Sequence, residues 1–151
     1  MAPQNSKLLF LYPLQNNQMF KRIFFHAVVA SVLATVAALI YNRIYFFATE
    51  ADFSKVINAG SIAGLNVFAC FVAAFIYWGL LRWLKKKGEV IFNFVFSTAS
   101  FACVAIPVSV TLPLDIKLPE LFPGLAVPMV LFPALAWYTV KPLFILNEKP
   151  L

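Results

Sequence analysis

Four long stretches of this 151-residue chain, residues 23–41, 56–81, 90–114 and 121–140, contain no Asp, Glu, Lys or Arg. An α-helix needs about 20 mostly apolar residues to cross roughly 30 Å of hydrocarbon. Inside lipid, only helices and closed barrels satisfy all of their own backbone donors and acceptors. These stretches are too long for strands and occupy most of the chain. The sequence therefore reads as an all-α integral membrane protein, an antiparallel bundle of four transmembrane helices. Composition agrees: 62% of residues are apolar and 12% charged, far from the balance of a soluble domain. Disorder, a nucleic-acid module and an ordinary cytosolic enzyme are excluded on the same ground.

The expected organisation is an N-terminal arm (1–20), spans at 21–48, 56–84, 89–112 and 123–146, and a Pro-rich external loop at 113–122, all in one membrane domain covering 21–146. In the arm, residues 8–14 are apolar but too short to span, and Pro13 is expected to stop them, leaving the arm along the interface. The first apolar run starts late and exceeds the length of a signal-peptide core, so we expect a retained helix. Nine of the twelve Lys and Arg residues fall on one side of the four spans: Lys7, Lys21, Arg22, Arg82, Lys85, Lys86, Lys87, Lys141 and Lys149. The other side holds Arg43, Lys55 and Lys117 beside Glu50, Asp52, Asp115 and Glu120. The positive-inside rule then places both termini in the cytoplasm, in a cell (cytoplasmic or inner) membrane.

Local signals set the expected helix ends. Asp52 or Ser54 is expected to cap the second helix, and Gly88 to terminate it within a tight turn at Lys85-Lys86-Lys87. Tyr77, Trp78 and Trp83 fit an interfacial aromatic belt. Between Leu112 and Pro123 apolar and polar residues alternate among repeated prolines, which predicts an extended segment. Leu114, Ile116 and Leu118 are its apolar edge, folded over the bundle top or offered as a docking edge to a partner. Pro128 and Pro133 lie within the fourth span, with Pro107 in the third. Each removes a backbone donor, so the fourth helix is expected to kink and its freed carbonyls to need other partners.

Polar side chains inside spans are expensive, and each is a functional candidate. His26 suits a proton shuttle or a simple hydrogen bond to a carbonyl or headgroup. Asn66 and Asn93 lie at different depths and each can bridge two helices. Ser97, Thr98, Ser100 and Ser109 can line a polar seam or bond back to their own helix. Asn42 and Arg43 close the first span, with Arg43 snorkelling to headgroups or facing Glu50, Asp52, Asp115 or Glu120. Gly60 and Gly64 form a GxxxG step, matched by Ala27, Ser31, Ala34 and Ala38 on the first helix, so helices one and two are expected to pack closely there. Cys70 and Cys103 sit in apolar spans and read as inert thiols.

In its number of spans the chain resembles three families: quinone-linked thiol oxidases, small multidrug transporters and the four-span glutathione enzymes of eicosanoid metabolism. It lacks the Cys-x-x-Cys pair of the first and the membrane-embedded Glu of the second. Of the third family's Arg, Asn and Glu on helix two it keeps only Asn66. No functional residue is carried over. We expect no catalytic constellation, metal or cofactor. The expected role is a non-enzymatic structural or accessory subunit of a membrane assembly or homo-oligomer, with the lipid bilayer and no nucleic acid as partner. The alternative is a small transporter or channel for a neutral or lipid-like cargo.

Overall fold

A computed structural model describes residues 5–112 and 118–144, with side chains described for all of these but 5–17 and 86. Every regular element among the described residues is helical: α1 (Asn5–Thr49), α2 (Ala59–Leu84), α3 (Lys86–Cys103), α4 (Ala105–Ser109), a 3-10 turn (Pro119–Leu121) and α5 (Phe122–Phe144). Four helical segments are long and apolar enough to cross a membrane: Gln18–Thr49, Ala59–Leu84, Lys87–Ser109 and Pro119–Phe144.

The helix ends depart from the sequence reading in instructive ways. Pro13 does not stop the arm, because α1 runs through it from Asn5. One proline removes a single ladder bond, which a long run of helix-forming neighbours tolerates. α2 starts at Ala59, where the Asn58 side chain accepts the Ser61 N–H at 2.8 Å. Asp52 instead closes a local turn, accepting the Ser54 N–H at 2.8 Å, so it is not the cap. That backbone bond, helped by the Ser54 hydroxyl, holds the exposed Asp52 carboxyl below the usual carboxylate range. Between Asp52 and Asn58, Phe53 turns inward against Phe122, with ring centroids 5.6 Å apart.

Gly88 does not end α2 either. Lys85 makes that turn alone, at φ 50°, donating its N–H to Leu81 O at 3.0 Å. Gly88 lies in the first turn of α3, where a β-carbon would run into the Leu80 carbonyl. Its role is close approach of two backbones rather than left-handed geometry. Further along, the α3 ladder is interrupted at Val104, three residues before Pro107, and α4 resumes beyond. Pro107 cannot donate to the carbonyl four residues earlier, which places the interruption where it occurs.

α1 is flanked by α2 and α5, while α3 packs on α2 and touches α5. The seam of α1 is made of small residues: Ala27, Ala30, Ser31, Ala34 and Ala38 are all buried. This bears out the small-residue face read on α1, but its partner on α2 is a different face. α2 buries Ile62, Asn66, Cys70, Ala73, Ala74 and Tyr77, whereas Gly60 and Gly64 are exposed, with nothing within 4 Å of a β-carbon built on Gly64. Two residues along a helix is more than half a turn, so Ile62 and Gly64 cannot both face α1.

Two apolar clusters stack along the bundle. One gathers Ala27, Ala30, Ala34, Cys70, Tyr77, Phe92 and Trp137. The other gathers Ala38, Phe53, Ile62, Phe122, Leu125 and Met129. At this second end Tyr41 donates to Gly124 O at 2.9 Å and Tyr45 to Leu121 O at 2.6 Å. Pro128 has no N–H to give Gly124, so the Tyr41 hydroxyl supplies the missing donor. A β-carbon on Gly124 would lie 2.7 Å from the Tyr45 hydroxyl, so the glycine lets that hydroxyl sit where it does.

Candidate functional site

Polar chemistry concentrates where the first apolar cluster ends. α3 places Glu89, Asn93 and Ser97 four residues apart, so the three stack along one face. α5 answers with Tyr138 and Lys141, three residues apart. Lys141 Nζ reaches Glu89 Oε1 at 2.9 Å and Asn93 Oδ1 at 2.9 Å. One turn deeper, the Tyr138 hydroxyl donates to Asn93 O at 3.0 Å and lies 2.9 Å from Ser97 Oγ. Lys141 is almost wholly buried, with 9% of its side chain exposed against 37% for Glu89.

The other two helices close the site from behind. The Tyr77 ring of α2 lies 5.7 Å from the Lys141 ammonium, within cation–π range. From α1, His26 is fully buried and meets Trp137 edge to face at 4.2 Å. Neither ring nitrogen of His26 makes a well-formed hydrogen bond among the described residues, and the same holds for Trp137 Nε1. The early part of α1, the late part of α2, the start of α3 and the end of α5 thus meet at one polar clasp.

What the clasp can do follows from its balance. The ammonium has a carboxylate, an amide oxygen and a π face, so its charge is matched where water is scarce. Glu89 also sits in the first turn of α3, where a carboxylate complements the helix dipole. The arrangement ties α3 to α5. Among the described residues no three of His, Cys, Asp and Glu converge in metal-binding geometry.

The sequence candidates scatter relative to this site. Asn93 and His26 belong to it. Asn66 is buried in α2, its side-chain oxygen without a partner among the described residues. Asn42 is half-buried at the opposite end, and Arg43 is exposed there, with no ion-pair partner among the described residues. Asp115, Leu114 and Ile116 lie outside the described residues; Leu118 is exposed, with a left-handed φ of 58°. Thr98, Ser100 and Ser109 bond back to carbonyls of their own helices. Cys70 and Cys103 are both free thiols. Among the described residues the Tyr138 hydroxyl links Asn93 to Ser97, whereas Asn66 has no hydrogen bond to either.

Sequence reasoning missed Glu89, Lys141, Tyr138, Tyr77 and Trp137. Glu89 and Lys141 resembled ordinary end charges, and the spacing Glu89-Asn93-Ser97 was the available signal. One further feature is a shallow apolar groove of about 160 Å³ between α1 and α5, lined by Leu33, Ala34, Ala37, Phe132, Leu135, Ala136 and Thr139. No protein-family model, curated protein or solved structure matches the chain.

Proposed function

We propose that the four long helices span a cell membrane as an antiparallel bundle, with α5 bent at its prolines and both termini on the cytoplasmic side. In this reading the protein is a non-catalytic subunit that acts by packing against other chains or a second copy. The observation that carries it is the exposure of α3. Only 11% of the most apolar window of the third span is buried, against 28–44% for the other three. Val90, Phe94, Phe101 and Val108 are all highly exposed along it. The clasp holds this outlying helix in a defined position, as an interaction surface requires. Outward Gly60 and Gly64 on α2 add a second place for close helix approach.

The test is gentle extraction from the native membrane, followed by the mass of the particle and identification of co-purifying chains. A stoichiometric partner or a defined multiple of 16.9 kDa is expected, and it should be lost when Phe94 and Phe101 are changed to Ser. A stable particle containing one copy alone overturns the reading. The groove between α1 and α5 supports a second reading, carriage of a lipid-like cargo. Its test is transfer of a fluorescent fatty acid between vesicles, which Ala37→Phe should abolish.

A further inference from the structure

At the cation-rich end, the seam between α1 and α2 carries an unbroken ladder of rings that ends in a guanidinium. The Arg82 guanidinium carbon lies 5.4 Å from the Trp78 ring centroid. Trp78 meets Phe20 edge to face at 6.0 Å, Phe20 lies 6.5 Å from Phe24, and Phe24 lies 5.6 Å from Phe71. The ladder passes from α2 to α1 and back to α2, and its α1 rings are open to the surroundings, Phe20 at 42% and Phe24 at 45% exposure. At that distance the guanidinium lies within cation–π range of the indole, and its planar fork of donors suits two-pronged binding of an oxyanion. Lys21, the next residue after Phe20 on α1, is exposed.

The charge balance here selects an anion. Glu89 is the one carboxylate among the described residues at this end, and Lys141 already occupies it at 2.9 Å. The opposite end differs, since Arg43 there has Glu50, Asp52 and Glu120 in the adjoining segments and no ring beneath its guanidinium among the described residues.

We propose that this seam is a binding site for one anionic phospholipid, its phosphate on Arg82 and Lys21 and an acyl chain along Phe20, Phe24 and Phe71. Polarity runs along the seam in the order it runs along a phospholipid, cation first and apolar surface after. A free phosphate would use only the cationic half. The proposal rests on the reading that the helices span a bilayer.

The protein is reconstituted in nanodiscs of phosphatidylcholine with phosphatidylglycerol, released, and analysed by native mass spectrometry. One phosphatidylglycerol retained per chain is expected, in preference to phosphatidylcholine. Arg82→Gln should reduce the retained fraction at least fivefold, Phe24→Ala should also reduce it, and Lys87→Gln, an equal loss of charge off the seam, should leave it within twofold. Arg82→Lys keeps the charge, serves if the Gln variant misfolds, and should retain an intermediate fraction. Equal effects of the Arg82 and Lys87 changes would show diffuse attraction to the leaflet and overturn the site. Displacement by millimolar glycerol phosphate would reduce it to an anion site and overturn the acyl-chain half. Failure to incorporate into nanodiscs at all would sink the spanning reading and the lipid site with it, whereas incorporation without selectivity sinks the lipid site alone.

Discussion

Lys141 shows how one buried charge can tolerate the loss of some neighbours and not others. Its ammonium is nearly sealed, while the Glu89 carboxylate that meets it keeps 37% of its side chain exposed. Removing the cation leaves a carboxylate that can still reach solvent; removing the carboxylate leaves a sealed cation with one amide oxygen and a ring. Breaking a buried pair is costly mainly through the charge left behind. We therefore expect Glu89→Gln to destabilise the protein by about 2 kcal/mol and Lys141→Met by less than about 1 kcal/mol. The double variant should resemble Lys141→Met. Thermal unfolding in detergent measures all three, and the reverse order of the single variants would refute this account. The sequence made Asn93 visible because an amide inside a span is conspicuous. Nothing in it distinguished Lys141 from Lys149, since both are cations beyond an apolar stretch, and only the facing of α3 and α5 separates them.

For whole helices, the uncharged stretches revealed four helices long and apolar enough to cross a membrane, because length and composition suffice for that. Ends and faces depended on atoms that sequence patterns do not encode. Gly88 looked like a helix terminator, yet it allows α3 to leave the turn against the Leu80 carbonyl. Gly60 and Gly64 looked like a packing step within the bundle, yet they face outward, because the helical period commits Ile62 and Asn66 to the inside. Gly88→Ala should therefore cost about 2 kcal/mol through backbone collision. Gly64→Ala should change monomer stability by no more than about 0.5 kcal/mol. Equal losses at the two sites would contradict these placements. The prolines of α5 were legible as donors removed, and one consequence is visible in the Tyr41 hydroxyl on Gly124 O at 2.9 Å. If Tyr41 substitutes for the N–H that Pro128 lacks, Tyr41→Phe should cost about 1 kcal/mol in the native background. In a Pro128→Ala background it should cost almost nothing, because the restored N–H takes over the carbonyl. A double-mutant cycle in unfolding free energy measures this coupling, and additive effects would exclude it.

Across the whole molecule, the two ends of the bundle are built from different chemistry. One end has the clasp, the Arg82–Trp78 cation–π pair and the exposed Lys21, Lys85 and Lys87. The other end is closed by hydroxyls donating to carbonyls and by Phe53 turned in against Phe122. Such asymmetry gives a bilayer a basis for choosing one orientation, because cations near span ends stay on the cytoplasmic side. In the proposed four-span bundle, α1 and α3 would cross in one direction and α2 and α5 would return. Single cysteines at Lys87 and Ser54, introduced with Cys70 and Cys103 replaced by Ala, test this in sealed inverted vesicles with a membrane-impermeant maleimide. Lys87→Cys should label at once, while Ser54→Cys should label only after the vesicles are opened. Labelling of both positions from one side would mean that α2 does not cross, and the bundle could not then be a set of four spans. Labelling in the reverse order would keep the four spans but invert the protein. The cation-rich end would then face away from the cytoplasm, and the charge distribution would need a cause other than membrane orientation.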